Sequence, residues 1–306
     1  MERFFCWLSG SRRRGLLASC SWDGQLVLQR RVSGERRHLL SKPHGSIEVD
    51  VLTLDNVSKD FGGLHALRDV TCGIPEGTIT SLIGPNGAGK STLTSLICGI
   101  HKTSHGRILL RGKAIQGLPA HVIKRLGVAR TFQIVQLFSN MTVLENVQIG
   151  AHVKYGDGWL GALPRPGAAD HREKEIADRC MELLRFLDID SYADSMPSDL
   201  SFGHQRTVEL ARALVAEPEV LIMDEPCSGL APGEVEHQLR IIDELRGRGV
   251  TILFIEHNMS VVMEISDKII VLNYGQKIAE GSPQEIMDNP QVIEAYLGEE
   301  MKHASR

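Results

Sequence analysis

The segment Gly84-Pro-Asn-Gly-Ala-Gly-Lys-Ser91 restricts the fold of this chain more than any other. It matches the phosphate-binding pattern G-x-x-x-x-G-K-[ST], and it lies between the short apolar run Ile79–Ile83 and a helical stretch, Ser91–Ile100. Such a loop works only where a strand ends and a helix begins. Its glycines let successive backbone N–H groups turn inward around phosphate oxygens. The helix N-terminus brings the positive end of its dipole to the same place. Gly84, Pro85, Asn86, Gly87, Ala88 and Gly89, with Thr92 behind them, are therefore expected to cradle ATP. Lys90 is placed to reach the β- and γ-phosphates, and the Ser91 hydroxyl to ligate Mg²⁺.

A second apolar run, Val220–Met223, ends in Asp224-Glu225-Pro226. Acids at the carboxyl end of a buried strand sit where ligands bind in open α/β sheets. Alone, the run fits a solvated strand end equally well. With a phosphate loop upstream, Asp224 reads as the residue that holds Mg²⁺ through its water shell, and Glu225 as the general base for the attacking water. Thr251–Ile255 is a third β-branched run, and helical patterns at Ser201–Glu217 and Pro232–Arg248 separate these strands. That alternation predicts an α/β fold with a mainly parallel sheet. Leu52, Leu54 and Val57 alternate on a strand, and Lys268–Leu272 with Gln276–Glu280 flank an Asn273-Tyr274-Gly275 hairpin turn. From about residue 143 to 205 the strand signal gives way to a helical insert. Its amphipathic helix His171–Leu187 carries Ile176, Cys180, Leu183, Leu184 and Leu187 on one face, after a Gly- and Pro-rich loop at Tyr155–Gly167.

Composition removes several classes. No stretch of roughly 20 uninterrupted apolar residues is present to span a bilayer as a helix. The six cysteines are scattered without metal or redox spacing, which suits reduced thiols. A net charge of −4 gives no sign of nucleic-acid binding.

Many ATPases share a phosphate loop and a carboxylate strand. Further features narrow the choice. Leu200-Ser-Phe-Gly-His-Gln-Arg206 resembles the signature sequence of ATP-binding cassette (ABC) ATPases, keeping Ser201, Gly203 and Gln205. Thr131-Phe132-Gln133 resembles the Q-loop of that family, and Phe254-Ile-Glu-His257 its switch-histidine segment. Phe61 stands about where the family stacks an aromatic ring on adenine. The resemblance runs from about Leu52 to Gly298 and implies the P-loop ABC ATPase fold, with an antiparallel β subdomain beside the main sheet. It implies that Gln133 and His257 join Glu225 in catalysis, that Gln133 also serves Mg²⁺, and that Ser201, Gly203 and Gln205 contact the nucleotide of a second ATPase subunit, in a heterodimer or a homodimer. At Ala231 many members carry Asp, which bears on communication between the two sites.

Arg130-Thr-Phe-Gln133, Phe138-Ser-Asn-Met-Thr-Val-Leu-Glu-Asn146, Ile255-Glu-His-Asn-Met259 and Asn289-Pro-Gln-Val-Ile-Glu-Ala-Tyr-Leu-Gly298 are similar to the branch that drives import of branched-chain amino acids. That branch implies two permease subunits, an external solute-binding protein and a peripheral position on the cytoplasmic face of the inner membrane. Sister systems for urea, amides or other amino acids share most of these motifs. Soluble ABC ATPases that act on ribosomes or DNA usually carry two modules or a long coiled-coil insert, which this chain lacks. A non-catalytic regulator would have lost Lys90, Glu225 or His257.

Residues 1–50 stand apart. They hold nine Lys/Arg against five Asp/Glu, whereas the remainder carries 25 against 33. They have no periodic apolar face, so they are expected to be dispensable and mostly disordered, consistent with a translation start near Val49 or Val51. A basic arm on anionic lipid or on the permease is the alternative.

Overall fold

The unbroken apolar runs fold as β5 (Ile79–Ile83), β9 (Val220–Asp224) and β10 (Thr251–Ile255), every residue of which is buried. Strands buried on both faces take parallel neighbours and helical cover. With β8 (Val128–Thr131), β11 (Lys268–Asn273) and β12 (Gln276–Gly281) they form one sheet in the order β12-β11-β5-β10-β9-β8. Neighbours from β8 to β11 run parallel, and β12 returns antiparallel at the edge. The carboxyl ends of β5, β10, β9 and β8 therefore open on one side, which is where the phosphate loop, His257, Glu225 and Gln133 follow. The computed structural model describes residues 18–20, 26–28, 49–155 and 168–296.

A second, antiparallel sheet has the order β4-β3-β6-β7, from β3 (Asp50–Phe61), β4 (Leu64–Pro75), β6 (His105–Leu110) and β7 (Lys113–Ala114). Its inner face (Leu52, Leu54, Val57, Leu67, Val70) shares one core with Leu93, Leu96 and Ile97 of α1 (Lys90–Ile97) and with Leu82, Ile222 and Leu253 of the main sheet. The helix that starts at the phosphate loop is thus packed by both sheets. The opposite face of the main sheet, with Ile79, Leu221, Met223 and Phe254, packs on α3 (Val143–Tyr155), α4 (Ala168–Phe186), α5 (Phe202–Leu214) and α6 (Pro232–Gly247). Ile176, Cys180, Leu184 and Leu187 are buried there and Leu183 is partly buried, along the stripe read from the sequence. Two short helices, α7 (Met259–Ile265) and α8 (Pro283–Met287), pack with Ile269 and Val271 in a smaller cluster. Among the described residues no helix is long and apolar enough to cross a membrane.

The chain divides into two compact units, Met1–Ile47 and Glu48–Arg306. In the first, β1 (Ala18–Cys20) pairs antiparallel with β2 (Leu26–Leu28). The rest of that segment, and most of the Gly- and Pro-rich loop after Tyr155, fall outside the described residues.

Candidate functional site

The phosphate loop is a close-packed turn. Gly84 has φ +147°, and a Cβ there would stand 2.1 Å from the Leu272 carbonyl oxygen of β11. Gly89, at φ +102°, caps α1, and a Cβ on it would meet Leu67 and the Ala66 carbonyl of β4. Glycine is required at both positions, by conformation and by space. Gly275 of the β11–β12 turn donates its N–H to Ala88 O at 3.0 Å, and its own carbonyl accepts from Arg68 N–H at 2.8 Å. The loop is therefore braced from β4 and from the hairpin turn. Lys90 Nζ donates to Gly84 O (2.6 Å) and Pro85 O (3.0 Å), so the ammonium already sits inside the loop. Pro85 and Ala88 are buried, Lys90 and Thr92 half-buried, and Asn86, Gly87 and Ser91 exposed. Phe61 ends β3 on the hairpin whose return strand supports Gly89. It packs edge-on against His101, and its ring is partly exposed.

Glu225 leaves β9 in the left-handed region, at φ +47°. A non-glycine residue there costs on the order of 1–3 kcal/mol. A hydrogen bond from Glu225 N–H to Ile255 O at 2.9 Å holds the turn, which lifts the carboxylate out of the strand. Gln133 Nε2 donates to Glu225 Oε2 at 2.9 Å, and His257 Nδ1 lies 3.8 Å from Glu225 Oε1. Two side chains expected to be catalytic, from the ends of β8 and β10, thus converge on the carboxylate of a third at the end of β9. The carboxylate of Glu256, nearly fully buried, accepts N–H bonds from Cys227 (2.9 Å) and His257 (3.2 Å), and so ties the two loops together. Burial and the neighbouring Glu256 push the Cys227 thiol up to about 12, which keeps it neutral.

Two residues of the motifs take roles that spacing alone could not assign. Arg130 Nη2 donates to Asp224 Oδ2 at 2.6 Å, with both side chains largely buried. Asn146 is fully buried. Its Oδ1 accepts from Phe138 N–H, and its Nδ2 donates to the carbonyls of Phe138, Met141 and Thr142. Thr142 and Glu145 exchange bonds with each other's backbone N–H, a capping box at the start of α3. The stretch Phe138–Asn146 is therefore a loop closed by its own side chains. Phe138 and Met141 are exposed, as are Phe132 and Ile134 earlier in the same connection.

The signature residues lie elsewhere. Ser201 caps α5, accepting from His204 N–H at 3.2 Å. A Cβ at Gly203 would stand 2.5 Å from Glu234 Oε1, and Gly229 lies under the Phe202 ring, so this helix start packs against the N-terminus of α6. Gln205 donates its amide N–H groups to Pro197 O and Leu200 O of its own chain, fixing the turn that presents Ser201. Ala231 is the N-cap of α6 and offers no side-chain acceptor; Glu234 compensates in part by accepting the Ala231 N–H at 2.8 Å. Ala231→Ser completes a capping box and is expected to add about 1 kcal/mol, raising the melting temperature by roughly 2–4 °C. An unchanged melting curve would remove capping from the account of this position.

A family described as "ABC transporter" matches residues 67–228, and one described as "Branched-chain amino acid ATP-binding cassette transporter" matches residues 276–302. The high-affinity branched-chain amino acid transport ATP-binding protein LivG of Salmonella typhimurium is 43% identical over 250 residues, covering 81% of this chain and 98% of that protein. A nucleotide-free ATP-binding cassette from an ABC transporter is 34% identical with a TM-score of 0.72, covering 81% of this chain and 99% of that one. The dimeric structure of MJ0796, a bacterial ABC transporter cassette, is 27% identical with a TM-score of 0.65, covering 76% and 98%. With the phosphate loop and the Glu225 constellation in place, these similarities settle the family: the chain belongs to the ABC transporters, as an ATP-hydrolysing cassette.

Proposed function

We propose that this chain is the ATPase subunit of an importer of branched-chain amino acids, peripheral on the cytoplasmic face of the membrane. The observation that carries the hydrolytic part is the convergence of Gln133 and His257 on Glu225, at the strand ends next to the phosphate loop. The match of residues 276–302 to the branched-chain branch supports the solute class. In this reading Gly84–Thr92 bind the phosphates and Phe61 stacks on adenine. The Glu225 carboxylate takes a proton from water as the water oxygen bonds to the γ-phosphorus. The bond from that phosphorus to the bridging oxygen breaks, leaving ADP and phosphate. Gln133 and His257 hold the base and the water in line.

The donors near the loop suit Mg²⁺, which prefers oxygen. Ser91 Oγ is exposed, Asp224 keeps Oδ1 beyond its bond to Arg130, and Gln133 keeps its amide oxygen. Bound there, Mg²⁺ would neutralise charge on the β- and γ-oxygens.

Gly203 packs on α6 of its own chain, while Ser201 and Phe202 at the start of α5 stay exposed. That supports a split site, in which Ser201 and Gly203 close onto a second subunit's nucleotide, most simply in a heterodimer with a sister ATPase. The exposed Phe132, Ile134, Phe138 and Met141, between β8 and α3, offer an apolar surface for a permease helix. A solute-binding protein would deliver the amino acid from outside. The split site sets an expected result: the isolated chain hydrolyses ATP slowly, with specific activity rising with protein concentration and rising again when the sister ATPase and permeases are added. Full specific activity in a strictly monomeric sample contradicts it.

A further inference from the structure

Arg206 lies one turn into α5 and is only 6% exposed, an unusual place for a guanidinium. Its Nη2 donates to two backbone carbonyls on different loops, Gln133 O at 3.1 Å and Ser228 O at 3.0 Å. Both loops hold Glu225. The side chain of Gln133 donates to the Glu225 carboxylate at 2.9 Å, and Ser228 N–H donates to the Glu225 carbonyl at 3.1 Å. Arg206 is itself held in place. The Phe202 ring lies 5.0 Å from the guanidinium carbon. Glu209, one turn further along α5 and also buried, accepts the N–H of Phe132 at 3.4 Å, next to Gln133. Burial pushes the Glu209 carboxyl up, while its backbone bond to Phe132 and the charges of Arg212 and Arg206 pull it back down. The helix that opens with the signature residues thus grips the Q-loop at two successive residues and the segment after Glu225 at a third.

We propose that Arg206 is a positioning residue for hydrolysis: it fixes the Gln133 and Ser228 backbones, and through them the Glu225 carboxylate, without contributing to nucleotide binding. The inference rests on Glu225 acting as the general base. A cation is suited to the task because a hydrogen bond from a charged donor is stronger than a neutral one. A lysine ammonium, on a shorter stem, would hold the two carbonyls less well. The link also gives the signature helix a direct mechanical connection to the base of its own chain. Closure of Ser201 onto a partner's nucleotide would then bear on Glu225.

The test is a kinetic cycle in the assembled transporter, with nucleotide affinity measured separately by a fluorescent ATP analogue. Arg206→Met is expected to lower kcat by roughly 10- to 100-fold, the scale of a misplacement of about 1 Å, with nucleotide affinity at its wild-type value. Arg206→Lys should fall between the two. Because one of its two routes to Glu225 ends in the Gln133 side chain, Arg206→Met introduced beside Gln133→Ala should cost less than it does in the wild type. Wild-type kcat in Arg206→Met, equal fold losses in both backgrounds, or a fall in nucleotide affinity parallel to kcat would each overturn the proposal. If circular dichroism shows that Arg206→Met does not fold, Arg206→Lys carries the same cycle with the same criteria. Glu225→Gln separates the two levels. If it keeps wild-type turnover, the reading of the base fails and this inference with it. If it is inactive while Arg206→Met is normal, only the role of Arg206 fails.

Discussion

Exchanging Glu225 for Gln is expected to leave ATP affinity at its wild-type value and to cut steady-state hydrolysis by about 10²- to 10⁴-fold, the usual contribution of a positioned general base. The amide has the same shape and can still meet Gln133, whose Nε2 lies 2.9 Å from one carboxylate oxygen. It sits on the same left-handed backbone, held by the bond to Ile255 O. What it loses is the ability to take a proton from water. Phosphate release in the assembled transporter, measured alongside nucleotide binding, checks both halves. Undiminished hydrolysis would remove Glu225 from the chemistry.

Lys90→Ala is expected to act at the earlier step. The Lys90 ammonium lies within hydrogen-bond distance of two carbonyls of the loop it follows, which places it for the β- and γ-phosphate oxygens. A hydrogen bond to a charged group contributes roughly 1.5–3 kcal/mol. Its loss therefore corresponds to a fall in ATP affinity of about 10- to 150-fold. The α1 core residues Leu93, Leu96 and Ile97 are untouched by the change, so the protein should remain folded. ATP affinity equal to wild type in a folded Lys90→Ala protein contradicts the assignment of the cradle.

The parts of the fold that were legible in the sequence are those where a single local rule dominates. Ile79–Ile83, Val220–Asp224 and Thr251–Ile255 are wholly buried, so their composition had no competing demand, and they appear within a residue of where the pattern put them. Strand β4 gave no such signal. Its pairing with β3 shifts register several times and includes the left-handed Asp69, so its buried residues do not keep a period of two. Helix α3 buries Val143, Val147 and Ala151 at four-residue spacing, but Asn146 and Gly150 are buried on the same face, so its stripe is not continuously apolar.

The site divides in the same way. Lys90, Asp224 and Glu225 follow from motifs that are contiguous in sequence. The pairing of Arg130 with Asp224 spans 94 residues, and that of Arg206 with the Q-loop spans 73. Nothing in the spacing of either arginine marks its partner. Gln205 is similar: nothing in its place in the signature marked the backbone carbonyls five and eight residues upstream that accept its amide N–H groups.

The claim that hydrolysis at this chain drives amino-acid import is tested most directly by ATP-dependent uptake of radiolabelled leucine. The assay uses proteoliposomes that hold the permeases, the sister ATPase and this chain, supplied with the solute-binding protein. The expected result is leucine uptake that requires internal ATP, is competed by isoleucine and valine, and is abolished when Glu225→Gln replaces the wild-type chain. Uptake of urea or an amide in place of leucine, or leucine uptake that persists with the Glu225→Gln chain, contradicts the account.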